Sequence, residues 1–225
     1  LNFISKVRTI VWKDFTHELR SKEMLISMCV FSFLVIIIFN FAFPPGMGDV
    51  DRIIPGILWV AFIFSGLLGM GRSFGVEKDK GSLQGLLLCP VGRGTIYVGK
   101  MVGNFIFMSM MEAFTLAIFS LLFNVNPFPV LIPLVLVIVL GTLGFTVVGT
   151  IFSAMSANTR ARDVMLSMLV FPIAVPLIIA SIKATGKILD GKSLSEIYSW
   201  LKILVAFDLT FLLVSYLAFQ FVVEE

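Results

Sequence analysis

Of the 225 residues, 58% are hydrophobic and 14% charged, whereas an ordinary soluble domain carries about 45–50% apolar and about 25% charged residues. With a mean hydropathy of +1.03, that composition excludes a water-soluble domain, and the length suits one compact membrane domain spanning 1–225. The net charge of +3 does not point to nucleic acid, because Lys and Arg fall in short segments beside apolar runs, where they set membrane orientation.

Residues 1–22 carry apolar side chains at Phe3, Ile4, Val7, Ile10, Val11, Phe15 and Leu19. That is helical spacing with a basic opposite face, which predicts an amphipathic interfacial helix on the inner leaflet. The segment lacks the short apolar core and small-residue cleavage site of a signal peptide. Its histidine, His17, is read as facing solvent or headgroups rather than as a haem ligand.

Spanning a bilayer takes about 20 apolar residues in a helix. Six segments qualify: Met24–Phe43, Ile53–Gly71, Met101–Phe123, Phe128–Ser153, Val164–Ile182 and Ile203–Val223. Pro172 and Pro176 should bend the fifth. The predicted fold is an all-α membrane protein with six transmembrane helices. Residues 183–202 read as an outer loop, with a short surface helix at Ser193–Leu201 that Trp200 could anchor. Gly66/Gly69, Gly99/Gly103 and Gly141/Gly144 read as small residues for close helix approach, with gating hinges as the sharper alternative. The methionines are read as packing. Cys29 lies in an apolar run and Cys89 in a basic loop, so no disulfide framework is expected.

Orientation follows from the cations. Lys6, Arg8, Lys13, Arg20, Lys22, Arg72, Lys78, Lys80, Arg93, Lys100, Arg160 and Arg162 fall on the side of the N-terminus. Arg52, Lys183, Lys187, Lys192 and Lys202 fall on the other. The positive-inside rule then places both termini in the cytoplasm.

The predicted cytoplasmic loop 72–100 contains the most informative stretch, residues 77–90. Ser82 suits a helix N-cap, Leu83, Leu86 and Leu87 fall on one side of a short helix, and Pro90 should end it. The helix is too short to cross a bilayer. Its apolar ridge and charged flanks suit either docking into a groove on a soluble partner or resting on headgroups.

Two carboxylates, Glu112 and Asp208, lie inside apolar spans. Such groups are costly in hydrocarbon and should face the bundle interior or water. They are either structural, protonated or hydrogen-bonded, or polar elements of a transport path or a dimer seam. No Gly-x-x-x-x-Gly-Lys-Ser/Thr phosphate cradle, metal motif, Ser-His-Asp set or Gly-x-Ser-x-Gly elbow occurs, so no catalytic or metal site is expected and ATP hydrolysis would belong elsewhere.

Glu77-x-x-x-Gly81-Ser82-Leu83-x-x-Leu86-Leu87-x-x-Pro90 resembles the loop after the second span of ABC-2-type permeases. Further blocks narrow the match: Arg52-Ile-x-Pro55-Gly56-Ile-x-Trp59-Val60-Ala61, Arg72-Ser-Phe, Arg93-x-x-Ile96-Tyr97-x-Gly99-Lys100, Ser153–Asp163 and Phe171-Pro172-x-x-x-Pro176. Together they resemble the haem exporter protein B (CcmB) family, the permease of cytochrome c maturation, over nearly the whole chain. Some members carry a more acidic run before Gly81 than Glu77-Lys78-Asp79-Lys80.

The resemblance implies an ABC permease subunit in the bacterial inner membrane, with residues 77–90 as the coupling helix region. It implies a cytosolic ABC ATPase subunit that holds the ATP, two copies of each, a haem-handling membrane protein, a periplasmic haem chaperone and a small membrane subunit. Haem would be handled by the complex and not bound directly by this chain. ATP hydrolysis would drive haem export or release of the haem-loaded chaperone. The alternatives are an ABC-2 permease exporting a lipid, drug or glycan, a passive scaffold, and a membrane enzyme, which the lack of a catalytic constellation disfavours.

Overall fold

The computed structural model describes residues 2–43, 50–79, 81–89 and 91–222. They form eight α-helices: α1 (Phe3–Ser21), α2 (Glu23–Ala42), α3 (Val50–Asp79), α4 (Ser82–Leu88), α5 (Arg93–Leu122), α6 (Leu131–Ser156), α7 (Arg162–Leu189) and α8 (Leu194–Val222), with a 3-10 turn at Phe128–Val130 before α6. Six of them, α2, α3 and α5 to α8, are long and apolar enough to cross a membrane. All six predicted spans are present and the fold class is all-α.

α6 is central, packing on α7, α8, α5 and α3. α3 is buried along most of its apolar length, whereas α2 and α8 leave most of theirs uncovered. Their outer faces carry Ile26, Phe33, Ile38 and Phe41 on α2 and Leu209, Leu213, Leu217 and Phe221 on α8. An apolar face of this extent suits lipid rather than water.

Gly141 and Gly144 work as close-approach positions. A Cβ at Gly141 would collide with the Trp59 ring, and one at Gly144 with the Asp208 carboxylate. The space saved at Gly141 seats Trp59, which is 1% exposed and whose Nε1–H donates to Thr185 Oγ1 at 3.0 Å.

Two expectations about connections need correction. Residues 72–79 are not loop: α3 runs on to Asp79, because Phe74 is buried in a second apolar cluster with Ile10, Tyr97 and Phe219 and the charges that follow it find partners. Residues 183–202 are not a loop with a surface helix either. α7 continues to Leu189, α8 begins at Leu194, and Ser193–Leu201 covers the first turns of α8. Buried Ala184, Ile188, Ile197 and Leu204 extend the apolar α7–α8 seam through this stretch, and Trp200 packs against the main core. α7 is one helix through Pro172 and Pro176.

α1 is helical over Phe3–Ser21, and its apolar positions divide between the bundle and the outside. Ile10 is buried against Gly99 of α5, and Phe15 stacks on Phe107 with ring centroids 6.1 Å apart. Phe3, Ile4, Trp12 and Leu19 remain exposed. The inward face also carries Asp14 and Glu18, whose charges need α3, α5 and α2 for partners.

Candidate functional site

α4 is a seven-residue helix suspended at one end of the bundle, between α3 and α5. Gly81 makes the turn into it with φ +68° and serves as its N-cap. That left-handed backbone suits glycine, since a Cβ there strains against the chain. Ser82, expected as the cap, is instead the first helical residue, and its hydroxyl donates back to the Glu77 carbonyl at 3.3 Å. The short helix is therefore tied to the last turn of α3.

The predicted ridge divides. Leu86 is half-buried and packs towards the cluster of Ile96, Tyr97 and Phe219. Leu88, not singled out from sequence, is 87% exposed, and Gly85 and Cys89 are exposed beside it. The Leu83 and Leu87 side chains and Pro90 lie outside the described residues.

Glu77 faces inward. It is 8% exposed and forms a four-charge network with Lys13 and Asp14 of α1 and Lys100 of α5. Its Oε1 accepts from Lys13 Nζ and, at 2.9 Å, from Lys100 Nζ. Lys100 also reaches Asp14 Oδ2 at 3.0 Å, and Lys13 reaches Asp14 Oδ1 at 3.2 Å. Lys100 is 2% exposed, lies 5.4 Å from the Phe74 ring centroid and donates to the Ser73 carbonyl at 3.3 Å. Burial works to lower the pKa of Lys13, but the Asp14 and Glu77 carboxylates outweigh it and hold the ammonium above its ordinary value. The network fastens three helices at the root of α4.

The opposite side of α3 is clasped by the end of α6, the connection after it and the start of α7. Ser153 Oγ donates to the Met70 carbonyl at 2.5 Å. Lys78 donates to Asn158 Oδ1 at 2.6 Å, and Arg162 pairs with Asp79 at 2.9 Å. A Cβ at Gly75 would lie 2.8 Å from Arg162 Nη1, so the guanidinium lies flat against the α3 backbone. The end of α3 is thus held by α1 and α5 on one face and by 153–163 on the other.

Beside the network, between α1, α2, α3 and α5, lies a cavity of about 580 Å³. Lys13, Glu18, Glu23, Arg72, Glu77 and Lys100 are among its walls, with Met24 and Phe107 on its apolar side. Arg72 Nη1 reaches Glu23 Oε2 at 3.4 Å.

Glu112 and Asp208 occupy different surroundings from these. Glu112 is 3% exposed, and both its oxygens lie in reach of one donor, Thr142 Oγ1, at 2.6 and 2.8 Å. Asp208 is 5% exposed, and neither oxygen has a hydrogen-bond partner among the described residues. It stands midway along α8, not near an end as its position in the apolar run suggests, because α8 starts at Leu194. Both carboxylates approach α6, at Thr142 and Gly144, so the structure brings them to one helix at mid-depth, away from residues 77–89.

Sequence reasoning picked Glu77 but missed Lys13, Asp14, Lys100, Asn158 and Arg162 as its companions and counterparts. Lys100, directly before the apolar run from Met101, was the available signal. Read as an orientation charge it carries no hint that two carboxylates, one of them 86 positions away in Asp14, converge on it.

Comparison with known proteins gives a consistent result. The sequence model of the family described as CcmB protein matches residues 5–225. The heme exporter protein B of Paracoccus denitrificans is 30% identical over 157 residues, covering 70% of this chain and 72% of that protein. That of Pseudomonas aeruginosa is 25% identical over 191 residues, 85% of each chain. That of Haemophilus influenzae is 29% identical over 170 residues, 76% of each.

Proposed function

Because the chain belongs to the CcmB family, we propose that it is the permease subunit of an ABC transporter complex for cytochrome c biogenesis, coupling ATP hydrolysis by a separate subunit to haem export or to release of a haem-loaded chaperone. It is a multi-pass membrane protein. In this reading the α4 end faces the cytoplasm, both termini lie there, and the membrane is the bacterial inner membrane. The ATPase belongs to a soluble partner that docks on α4, two permease copies pair, and a haem-handling membrane protein, a small membrane subunit and a periplasmic haem chaperone complete the system.

The observation that carries the reading is the mounting of α4. A free surface helix would rest on the bundle through apolar contact alone. This one presents Leu88 and Gly85 outward while its root is fixed by the Glu77 network and by the Lys78–Asn158 and Asp79–Arg162 contacts. An exposed tip on a stiff root receives displacement from a neighbour and passes it on to α1, α5 and α7. Glu112 and Asp208 flanking α6 would lie along the path so moved.

Replacing Gly85 and Leu88 together by Asp should abolish co-purification of the ATPase subunit while the permease still inserts and elutes as a folded species. Undiminished ATPase binding in that variant sinks the docking role of α4.

A further inference from the structure

We propose that the junction of α1 and α2 binds the phosphate headgroup of an anionic phospholipid through Arg20 and Lys22, with the acyl chains along the uncovered face of α2. This goes beyond the coupling role and does not depend on it.

Arg20 and Lys22 are left without a carboxylate. At this end of the bundle Lys13, Arg72, Lys100 and Arg162 each pair with one. Arg20 and Lys22 are exposed and pair with none among the described residues. The carboxylates nearest to them in the chain are already engaged. Glu18 is buried and accepts from the Leu25 amide at 2.9 Å, and Glu23 pairs with Arg72 at 3.4 Å. A shallow concavity along α1 reaches Arg20. Its walls include Trp12, Thr16 and His17 and hold no carboxylate among the described residues. Uncompensated positive charge beside an open polar surface attracts an anion.

The backbone places one of the two cations at a cost. Lys22 has φ +57°, a left-handed conformation that glycine adopts with less strain. Its amide donates to the Glu18 carbonyl at 2.6 Å, and its carbonyl accepts from the Ile26 amide at 3.0 Å. One residue therefore closes α1 and opens α2, and having lysine there adds a charge at the turn.

The depth suits a lipid phosphate. α2 is long and apolar enough to span, and it begins at Glu23, so Arg20 and Lys22 sit where the chain enters the membrane. Directly after Lys22, Ile26, Val30, Leu34 and Ile38 recur at every fourth position, all exposed. Residues four apart in a helix lie on one face, so these four form a continuous apolar ridge. From Ile26 to Ile38 it rises about 18 Å, somewhat more than one leaflet's half of the roughly 30 Å hydrocarbon core. Acyl chains need no pocket here, because they lie against an open helix face. A guanidinium matches two phosphate oxygens in one plane. A zwitterionic headgroup brings its own ammonium, which two unpaired cations repel, so the fit is to phosphatidylglycerol rather than to phosphatidylcholine.

The test titrates the purified full chain in detergent with phosphatidylglycerol or phosphatidylcholine and counts retained lipid by native mass spectrometry. Phosphatidylglycerol should bind about twentyfold more tightly, at about fivefold for each cation. Arg20→Gln and Lys22→Gln should each lower the preference about fivefold. Lys22→Gly should lower it equally while raising thermal stability, a split that a purely structural lysine would not show. Arg160→Gln removes another exposed cation and should leave the preference unchanged. Equal retention of the two lipids overturns the proposal, as does a preference that survives loss of both Arg20 and Lys22. An equal fall in Arg160→Gln would make net charge the cause and overturns it as well. Competition by the deacylated headgroup glycerophosphoglycerol at the same concentration would mean that the site takes a soluble anion and removes the lipid assignment. Two copies of the chain without retained phosphatidylglycerol would give the α2 ridge to a second copy. Loss of the preference on binding a soluble subunit would give the junction to that subunit. Either result overturns the proposal.

Discussion

The Lys100 ammonium donates to Glu77 Oε1 at 2.9 Å, joining the start of α5 to the last turn of α3 just before the chain turns into α4. The same ammonium holds Asp14 of α1 at 3.0 Å. One buried lysine therefore joins three helices.

Lys100→Met should be the costliest single change at this end. It leaves two carboxylates, with side chains 15% and 10% exposed, short of a cation. Removing one partner from a buried pair costs about 3–5 kcal/mol. Lys13→Met should cost under about 1 kcal/mol, because that side chain is 47% exposed and water replaces much of what is lost. Thermal unfolding of the two variants in detergent checks the order, and equal losses would contradict it.

Gly144→Ala should destabilise by about 1–3 kcal/mol, because the added methyl meets the Asp208 carboxylate in a packed interior. Combining it with Asp208→Ala should recover part of the loss. The double-mutant cycle should therefore show a coupling well above about 0.5 kcal/mol. Strictly additive effects would mean that the two positions do not share the contact.

Glu112→Ala should abolish maturation of c-type cytochromes while leaving the protein inserted, whereas Glu112→Gln, which still accepts from Thr142, should retain part of the activity. Haem staining of membrane and periplasmic fractions reads both. Wild-type cytochrome levels in the alanine variant would assign Glu112 a purely structural place.

Leu86→Asp and Leu88→Asp should part company although they are two residues apart. Leu86 packs towards the bundle, so a charge there should loosen α4 and lower thermal stability. Leu88 is 87% exposed, so a charge there should leave stability within about 0.5 kcal/mol and change only association with the ATPase subunit. A similar stability loss in both would place Leu88 against the bundle as well.

Much of this was legible in one dimension. Each run of about 20 apolar residues had to become a spanning helix, because backbone polar groups in hydrocarbon must be satisfied within the segment. Gly81 and the leucines after it marked a helix too short to span, and the run around them matched a family. The helix ends were less legible. Lys78 and Asp79 look like loop residues by composition, and α3 includes both because their partners, Asn158 and Arg162, arrive from another part of the chain. The inward turn of Glu77 was hidden for the same reason, as was the split of the α1 apolar positions between Gly99 and Phe107 on one side and the outside on the other.

The sequence by itself determined how many times the chain crosses, which residues are too costly to leave in lipid, and which short helix cannot cross. Those follow from transfer free energies and helix rise, properties that each segment carries alone. Only the tertiary structure decided that Glu77 is a buried anchor rather than an exposed contact, that Glu112 and Asp208 meet the same helix, and that charge gathers around a cavity. Those depend on pairings between segments far apart in the chain, and a charge's cost or benefit is undefined until its neighbour is in place.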